Sequence, residues 1–268
     1  MTGQIIQLID RWFLKQPLVR RYLTRAIAGN RQRRVVLLAK EILVHTAREH
    51  GYFRASKLSL SCSLFRDEFP VLLHLAGLLQ NGDTFLDVGA NIGIFCVNMA
   101  SFRAVYPNLQ VYAFEPNPDT AVRLRANAEP LGVKVFSVAL ADYNGSLEFI
   151  DGAVSNVFTT TQNASSYSIR RERSLCECRR LDDLPIIGDS IIMKIDVEGQ
   201  ELEVLVGAKT YFDSGRIRAL YLDDYKDPRV RDFLGPYGFH YFNGRTLERA
   251  TEGTKHLLAL KSREADGS

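Results

Sequence analysis

At 268 residues, with 46% hydrophobic and 24% charged residues, the chain fits one large domain or a domain with a small appendage and is not a disordered polymer. Its net charge of +3 is too small for the whole chain to be a polyanion binder, but it is unevenly placed. Residues 1–34 carry Arg11, Lys15, Arg20, Arg21, Arg25, Arg31, Arg33 and Arg34 against Asp10 alone, a balance of +7 that leaves −4 for the remainder.

From the N-terminus, Ile5–Ile9 is too short for the apolar core of a signal peptide, and no run reaches the roughly 18 apolar residues that span a bilayer. A cytoplasmic location is therefore expected, and the sequon Asn163-Ala164-Ser165 carries no weight. Residues 4–28 have the three-or-four spacing of two amphipathic helices broken near Pro17, and a third helix is expected over 35–50. The chain is thus divided into a helical basic region, 1–65, and a catalytic domain, 66–268.

From Thr84 onwards strands alternate with helices. Strands are expected at 84–88, 111–114, 133–139, 146–150, 191–195 and 217–222, and helices at 92–102, 119–128 and 201–212. Two late antiparallel strands are expected at 239–242 and 256–260. Alternation of this kind makes an α/β fold with a mostly parallel sheet flanked by helices. The polar stretch 151–175 has no period and reads as a long loop, either functional or disordered. Cys62, Cys96, Cys176 and Cys178 have neither disulfide-framework nor zinc-site spacing and read as reduced thiols.

The chemistry concentrates at Asp87-Val88-Gly89-Ala90-Asn91-Ile92-Gly93, directly after one strand and before a helix. Such a turn lets backbone approach a ligand at the carboxyl edge of the sheet. The next strand ends in Phe114-Glu115-Pro116-Asn117-Pro118, placing Glu115 to accept hydrogen bonds from ribose hydroxyls. A dinucleotide or S-adenosylmethionine fits that arrangement. The G-x-N-x-G spacing departs from the dinucleotide fingerprint, and the carboxylate of Asp87 would repel a pyrophosphate but suit the ammonium of a methionine moiety. The second ligand is therefore preferred.

DVGANIG (87–93), FEPNP (114–118), ALAD (139–142), LDDL (181–184) and KIDVEGQELEVLVGA (194–208) together resemble the FkbM-type methyltransferases, over about residues 66–262. The resemblance implies a Rossmann-like class I methyltransferase fold with a seven-stranded sheet and S-adenosylmethionine as cofactor. It places Asp87, Gly89, Asn91 and Gly93 around the methionine part, Glu115 with Pro116 and Asn117 at the ribose, and Asp142 near the adenine. The reaction implied is O-methylation of a sugar, glycolipid or secondary metabolite.

A neutral alcohol is a poor nucleophile and needs a base or a metal to remove its proton. Lys194, Asp196 and Glu198 leave a strand at the reacting edge and are the candidate catalytic residues, with one carboxylate as base. Asp196 with Asp223 and Asp224 could form an all-oxygen Mg²⁺ site, although the resemblance would put a glutamate near Asp223. Metal is not expected. His45, His50, His74, His240 and His256 show no paired spacing, and of these His240 is singled out for substitution.

Arg170, Arg171, Arg173, Arg179 and Arg180 could recognise an anionic group on the acceptor. The basic arm could lie on an anionic membrane, cover the site or pair two copies; nucleic acid is not expected, because the remainder is net acidic. Two other readings stay open: a cofactor-binding protein without turnover, and a nicotinamide-dependent oxidoreductase.

Overall fold

The structure, a computed structural model, describes residues 17–58, 64–151, 158–160 and 173–261. Its centre is a seven-stranded sheet with strand order β12-β13-β11-β10-β3-β4-β5. Here β3 is Thr84–Val88, β4 Gln110–Phe114, β5 Lys134–Phe136, β10 Ile191–Ile195, β11 Ile217–Leu222, β12 Phe239–Asn243 and β13 Leu257–Lys261. Strands β5, β4, β3, β10 and β11 run parallel, and β13 and β12 close one side antiparallel. The Rossmann-like α/β fold expected from the sequence is the fold observed.

Every residue of β3 and β10 is buried, which follows from helices covering both faces of a parallel sheet. One apolar cluster joins α3 (Phe69–Leu78) and α4 (Ile94–Ala100) to one face. A second joins α6 (Glu201–Gly207), α7 (Lys209–Asp213) and α8 (Arg229–Leu234) to the other. The helix expected over 201–212 is broken in two at Ala208. Gly207 lies there because a Cβ would meet the carbonyl oxygen of Ala141 at 2.0 Å, a contact that only glycine avoids.

The third helix, expected over 35–50, is instead a hairpin of β1 (Gln32–Leu37) and β2 (Lys40–His45). Leu38 and Ala39 form its two-residue turn with φ of 49° and 62°, the left-handed pair that a hairpin of right-handed twist requires. Asn-Gly ordinarily signals such a turn, and Leu-Ala does not. Val35, Leu37, Ile42 and Val44 alternate inward and are buried in the same cluster as the α3 face of the sheet. The segment then continues as α2 (His50–Leu58); upstream of the hairpin, α1 covers Pro17–Ala28 and residues 4–16 lie outside the described residues.

The hairpin is fixed to α5 (Pro118–Ala128) by polar contacts as well as apolar ones. Asn127 accepts from the Leu43 N–H (2.7 Å) and donates to the carbonyls of Leu43 (3.1 Å) and Ile92 (2.9 Å). Arg123 forms a fully buried ion pair with Glu49 at 2.6 Å.

The strand expected over 146–150 belongs to a separate four-stranded sheet, order β6-β9-β7-β8. Its members are β6 (Ala139–Leu140), β7 (Gly145–Asp151), β8 (Phe158–Thr160) and β9 (Arg173–Arg179). The stretch read as a long loop therefore contains β8 and the start of β9; residues 152–157 and 161–172, including the sequon, Arg170 and Arg171, lie outside the described residues.

Candidate active site

The turn after β3 is held from four directions. Gly89 and Ala90 donate to the carbonyl of Phe114 at the end of β4 (3.0 and 2.9 Å). Gly89 has a φ of 71°, and a Cβ there would lie 1.9 Å from the carbonyl oxygen of Asp196. Only glycine lets the turn meet the end of β10 so closely. The Asn91 N–H donates to Glu115 (2.9 Å), whose second oxygen accepts from the Asn117 N–H (2.9 Å). Gly93 stands immediately before α4.

Glu115 is buried, and burial pushes its carboxyl up to about 7 against the two backbone N–H groups and the charge of Lys194. Asn117 is the N-cap of α5: its side-chain oxygen accepts from the N–H groups of Asp119 (2.9 Å) and Thr120 (3.2 Å), with Pro118 at the first helical position. Asn117 thus sets the direction of the loop rather than offering that oxygen to a ligand.

Asp87 is fully buried. One carboxylate oxygen accepts from the Cys96 N–H (2.9 Å) in the first turn of α4, and the other lies 3.2 Å from Lys194 Nζ. Its negative charge sits under the turn and steadies it. Lys194 also donates to the Gly89 carbonyl (2.9 Å) and lies 3.6 Å from Asp196. Burial alone would lower the pKa of Lys194, but Asp87 and Asp196 outweigh it and keep the ammonium charged. Lys194 is therefore a buried strut between the turn and Asp196, not a group at the cavity surface. Asp142 is exposed after β6, its carbonyl held by Arg180 at 2.7 Å.

A cavity of about 670 Å³ opens beside this turn, between the ends of β10 and β11. Asp196, Glu198 and Gly199 form one side, and Asp223, Asp224 and Lys226 the next; Arg245 and His256 close it. Burial and then the charge of Asp196 push Glu198 up to about 7, although solvent still reaches its side chain. Burial likewise raises Asp196, with Lys194 opposing it. Glu198 (φ 54°) and Asp224 (φ 42°) both hold left-handed backbone, which costs energy in non-glycine residues and clusters at functional sites.

Asp223 accepts from the Tyr221 hydroxyl (2.6 Å) and binds Nδ1 of His256 (2.8 Å), with Arg245 at 3.9 Å. Asp224 faces Lys226 (3.5 Å) and Lys255 (3.9 Å) instead. The two neighbouring carboxylates are thus committed to different cations, and among the described residues no three His, Cys, Asp or Glu side chains group as metal ligands. The Mg²⁺ set proposed from Asp196, Asp223 and Asp224 is not assembled.

Two further groups were not visible in the sequence. Tyr52 on α2 donates to Glu68 (2.9 Å), which ends a π-helical turn at Leu64–Glu68. Burial pushes Glu68 up to about 7; the Tyr52 hydrogen bond and the charge of Lys194 oppose this, and the charges of Asp196 and Asp223 add to it. Asp67 alongside pairs with Arg245 at 3.2 Å. No motif marks these residues, because chain segments far apart in sequence bring them in. Of the arginine cluster, the two with described side chains do not line the cavity: Arg179 pairs with Glu177 (2.5 Å) and Arg180 with Asp182 (2.9 Å). His240 is exposed on the edge strand β12.

The sequence model of the Methyltransferase FkbM domain matches residues 87–241, from Asp87 in the turn to Tyr241 in β12. The chain belongs to the FkbM methyltransferase family. Its cofactor is S-adenosylmethionine. The residues around the turn fit that molecule: glycine brings the turn's backbone against the end of β10, beside a buried carboxylate at the end of the neighbouring strand. Gly89, Asn91 and Glu115 would hold it, and it supplies an electrophilic methyl group.

A 2-O-methyltransferase, NoeI, of Sinorhizobium fredii is 32% identical over 152 residues, which are 50% of this chain and 61% of that one. A hexuronic acid methyltransferase, AglP, of Haloferax volcanii is 31% identical over 144 residues, 53% of this chain and 56% of that one. The chain thus spans about three fifths of the length of these FkbM-like relatives. Among solved structures, a TehB-like SAM-dependent methyltransferase from Corynebacterium glutamicum aligns with a TM-score of 0.44 at 11% identity, over 80% of this chain and 99% of that one. Among the described residues no helix is long and apolar enough to cross a membrane.

Proposed function

We propose that this FkbM-family protein transfers a methyl group from S-adenosylmethionine to a hydroxyl of a sugar, on a free glycan or a glycolipid. The observation that carries this reading is the carboxylate-rich cavity directly against the glycine turn, with Asp196 shared between the two. Carboxylates accept hydrogen bonds from sugar hydroxyls, and a cavity of about 670 Å³ has room for a saccharide. The relatives named for 2-O-methylation and for a hexuronic acid support the same acceptor class.

In this reading Asp196 and Glu198 grip acceptor hydroxyls, while Lys194 fixes Asp196 from below. Glu115 receives the ribose, Pro116 and Asn117 shape the loop after it, and Asp142 lies towards the adenine. Methyl transfer is an in-line displacement, so aligning the acceptor oxygen with the methyl carbon is most of what the protein must do. Of the N-terminal region, the described hairpin packs into the core of the transferase body.

The basic arm extends the reading. Tyr22 and Ile27 are 67% and 85% exposed, next to exposed Arg25, Arg31, Arg33 and Arg34. Exposed apolar and basic groups within one short stretch of chain suit an anionic bilayer and would bring a lipid-linked acceptor within reach. Co-sedimentation with phosphatidylglycerol vesicles that survives in Arg33→Glu/Arg34→Glu would remove this part.

The test of the main reading is transfer of labelled methyl from S-adenosylmethionine to p-nitrophenyl β-glucuronide and to neutral p-nitrophenyl hexosides. Label on the sugar that disappears with Glu115→Ala supports it. Label on protein or nucleic acid alone would refute it.

A further inference from the structure

We propose that His256 is the general base that removes the proton of the acceptor hydroxyl, with Asp223 holding its imidazole in the working tautomer. This rests on the hydroxyl-methylation reading above and goes beyond it, since neither the motifs nor the family match includes His256.

The topology places the pair. Leu257 of β13 is registered against Leu222 of β11, so the residues flanking them, His256 and Asp223, meet at the carboxyl edge of the sheet. The Asp223 N–H in turn donates to the Ile195 carbonyl (3.0 Å), which sets Asp223 beside Asp196 and therefore beside the glycine turn. The cavity that His256 lines thus adjoins, through Asp196, the turn proposed to hold the methyl donor.

Chemistry then selects the tautomer. Asp223 accepts from the Tyr221 hydroxyl at 2.6 Å, and the Arg245 guanidinium lies 3.9 Å from the same carboxylate. Burial and the charge of Asp223 raise the Tyr221 hydroxyl, so it stays protonated and donates. A carboxylate only accepts, so the Nδ1 that lies 2.8 Å from it carries the hydrogen. Nε2 is then the basic nitrogen of a side chain lining the cavity. Asp67 and Asp224 add negative charge nearby, offset by Arg245, Lys226 and Lys255.

The competing bases are less well placed. Asp196 spends its charge on Lys194, and Glu198 stands on a solvent-reached left-handed turn. His256 alone has a partner that fixes both its orientation and its protonation. In the transfer step the acceptor oxygen forms the new O–C bond as the donor's S–C bond breaks, and that electron pair stays on sulfur. The hydroxyl proton passes to Nε2, and the resulting imidazolium, stabilised by Asp223, returns it to water.

The experiment has two arms on the full chain. In the first, ¹⁵N-histidine-labelled protein at pH 8 is examined by long-range ¹H–¹⁵N correlation, with His256→Asn identifying the signal. Hydrogen on Nδ1 is expected, and hydrogen on Nε2 overturns the proposal whether or not an acceptor is known. In the second, kcat with p-nitrophenyl β-glucuronide is compared for wild type, His256→Asn and Glu198→Gln. Asparagine can still donate to Asp223 but has no Nε2, so a positioning role would survive it.

The proposal expects His256→Asn to lose at least ~100-fold in kcat and the acid limb of the pH profile, with S-adenosylmethionine affinity and Tm kept. Retention within threefold, or transfer of that acid limb to Glu198→Gln, overturns it. If wild type methylates none of the sugars, the acceptor reading fails, and the tautomer still judges His256.

Discussion

The two walls of the crevice are built in different ways. The donor wall is backbone: the turn at 89–93 is pinned by Phe114, Glu115 and Lys194, and backed by the hairpin through Asn127 and the Ile92 carbonyl. The wall proposed for the acceptor is side chains: Asp223, Arg245 and His256, joined by ion pairs and hydrogen bonds across distant segments, with Asp67 paired to Arg245. A backbone wall recognises one invariant ligand and tolerates little change. A wall of paired charges can be re-lined while the fold stays intact.

The largest expected effect strikes what supports the donor wall. Glu49→Ala leaves Arg123 charged and buried without its carboxylate and should cost about 3–5 kcal/mol in urea unfolding, far more than an exposed pair. Next, Gly89→Ala drives a Cβ into the Asp196 carbonyl and should weaken S-adenosylmethionine binding at least ~100-fold, about 2.7 kcal/mol, by calorimetry. If binding survives that substitution, the donor wall is not rigid backbone.

Glu115 adds a pH signature. Its carboxyl is raised to about 7, so in the free protein it is ionised above that pH and protonated below it. Affinity that depends on the carboxylate should be full above pH 7 and fall by up to about tenfold per unit below it. Glu115→Gln should bind about tenfold more weakly at pH 8 and show a flat profile.

On the acceptor wall, Arg245→Gln breaks the link from Asp67 to Asp223 and should raise acceptor KM by about 3–10-fold, with donor affinity unchanged. The smallest effect belongs to the exposed Lys226–Asp224 pair, where Lys226→Ala should change unfolding free energy by less than about 0.5 kcal/mol.

The same contrast explains what could be read from the chain. DVGANIG and FEPNP were legible because a turn and its pinning carboxylate lie within one strand–helix–strand unit, where spacing encodes geometry. Their detailed roles were not: Asp87 faces Lys194 and Cys96, and the Asn117 side chain caps a helix, because burial decides direction and spacing does not. The β1–β2 hairpin was hidden by a Leu-Ala turn in the left-handed region, and apolar residues three or four apart mimic a helix there. His256 and Asp223 lie 33 residues apart, and Arg245 and Asp67 lie 178 apart. Such pairs exist only once the antiparallel strands have closed the sheet.

The division of labour between the walls is tested most directly by measuring donor affinity and single-turnover methyl transfer on the same two variants. Gly89→Ala should lose S-adenosylmethionine binding. His256→Asn should bind it as wild type does and transfer at least ~100-fold more slowly. Loss of binding in both variants, or full transfer in His256→Asn, would contradict the account.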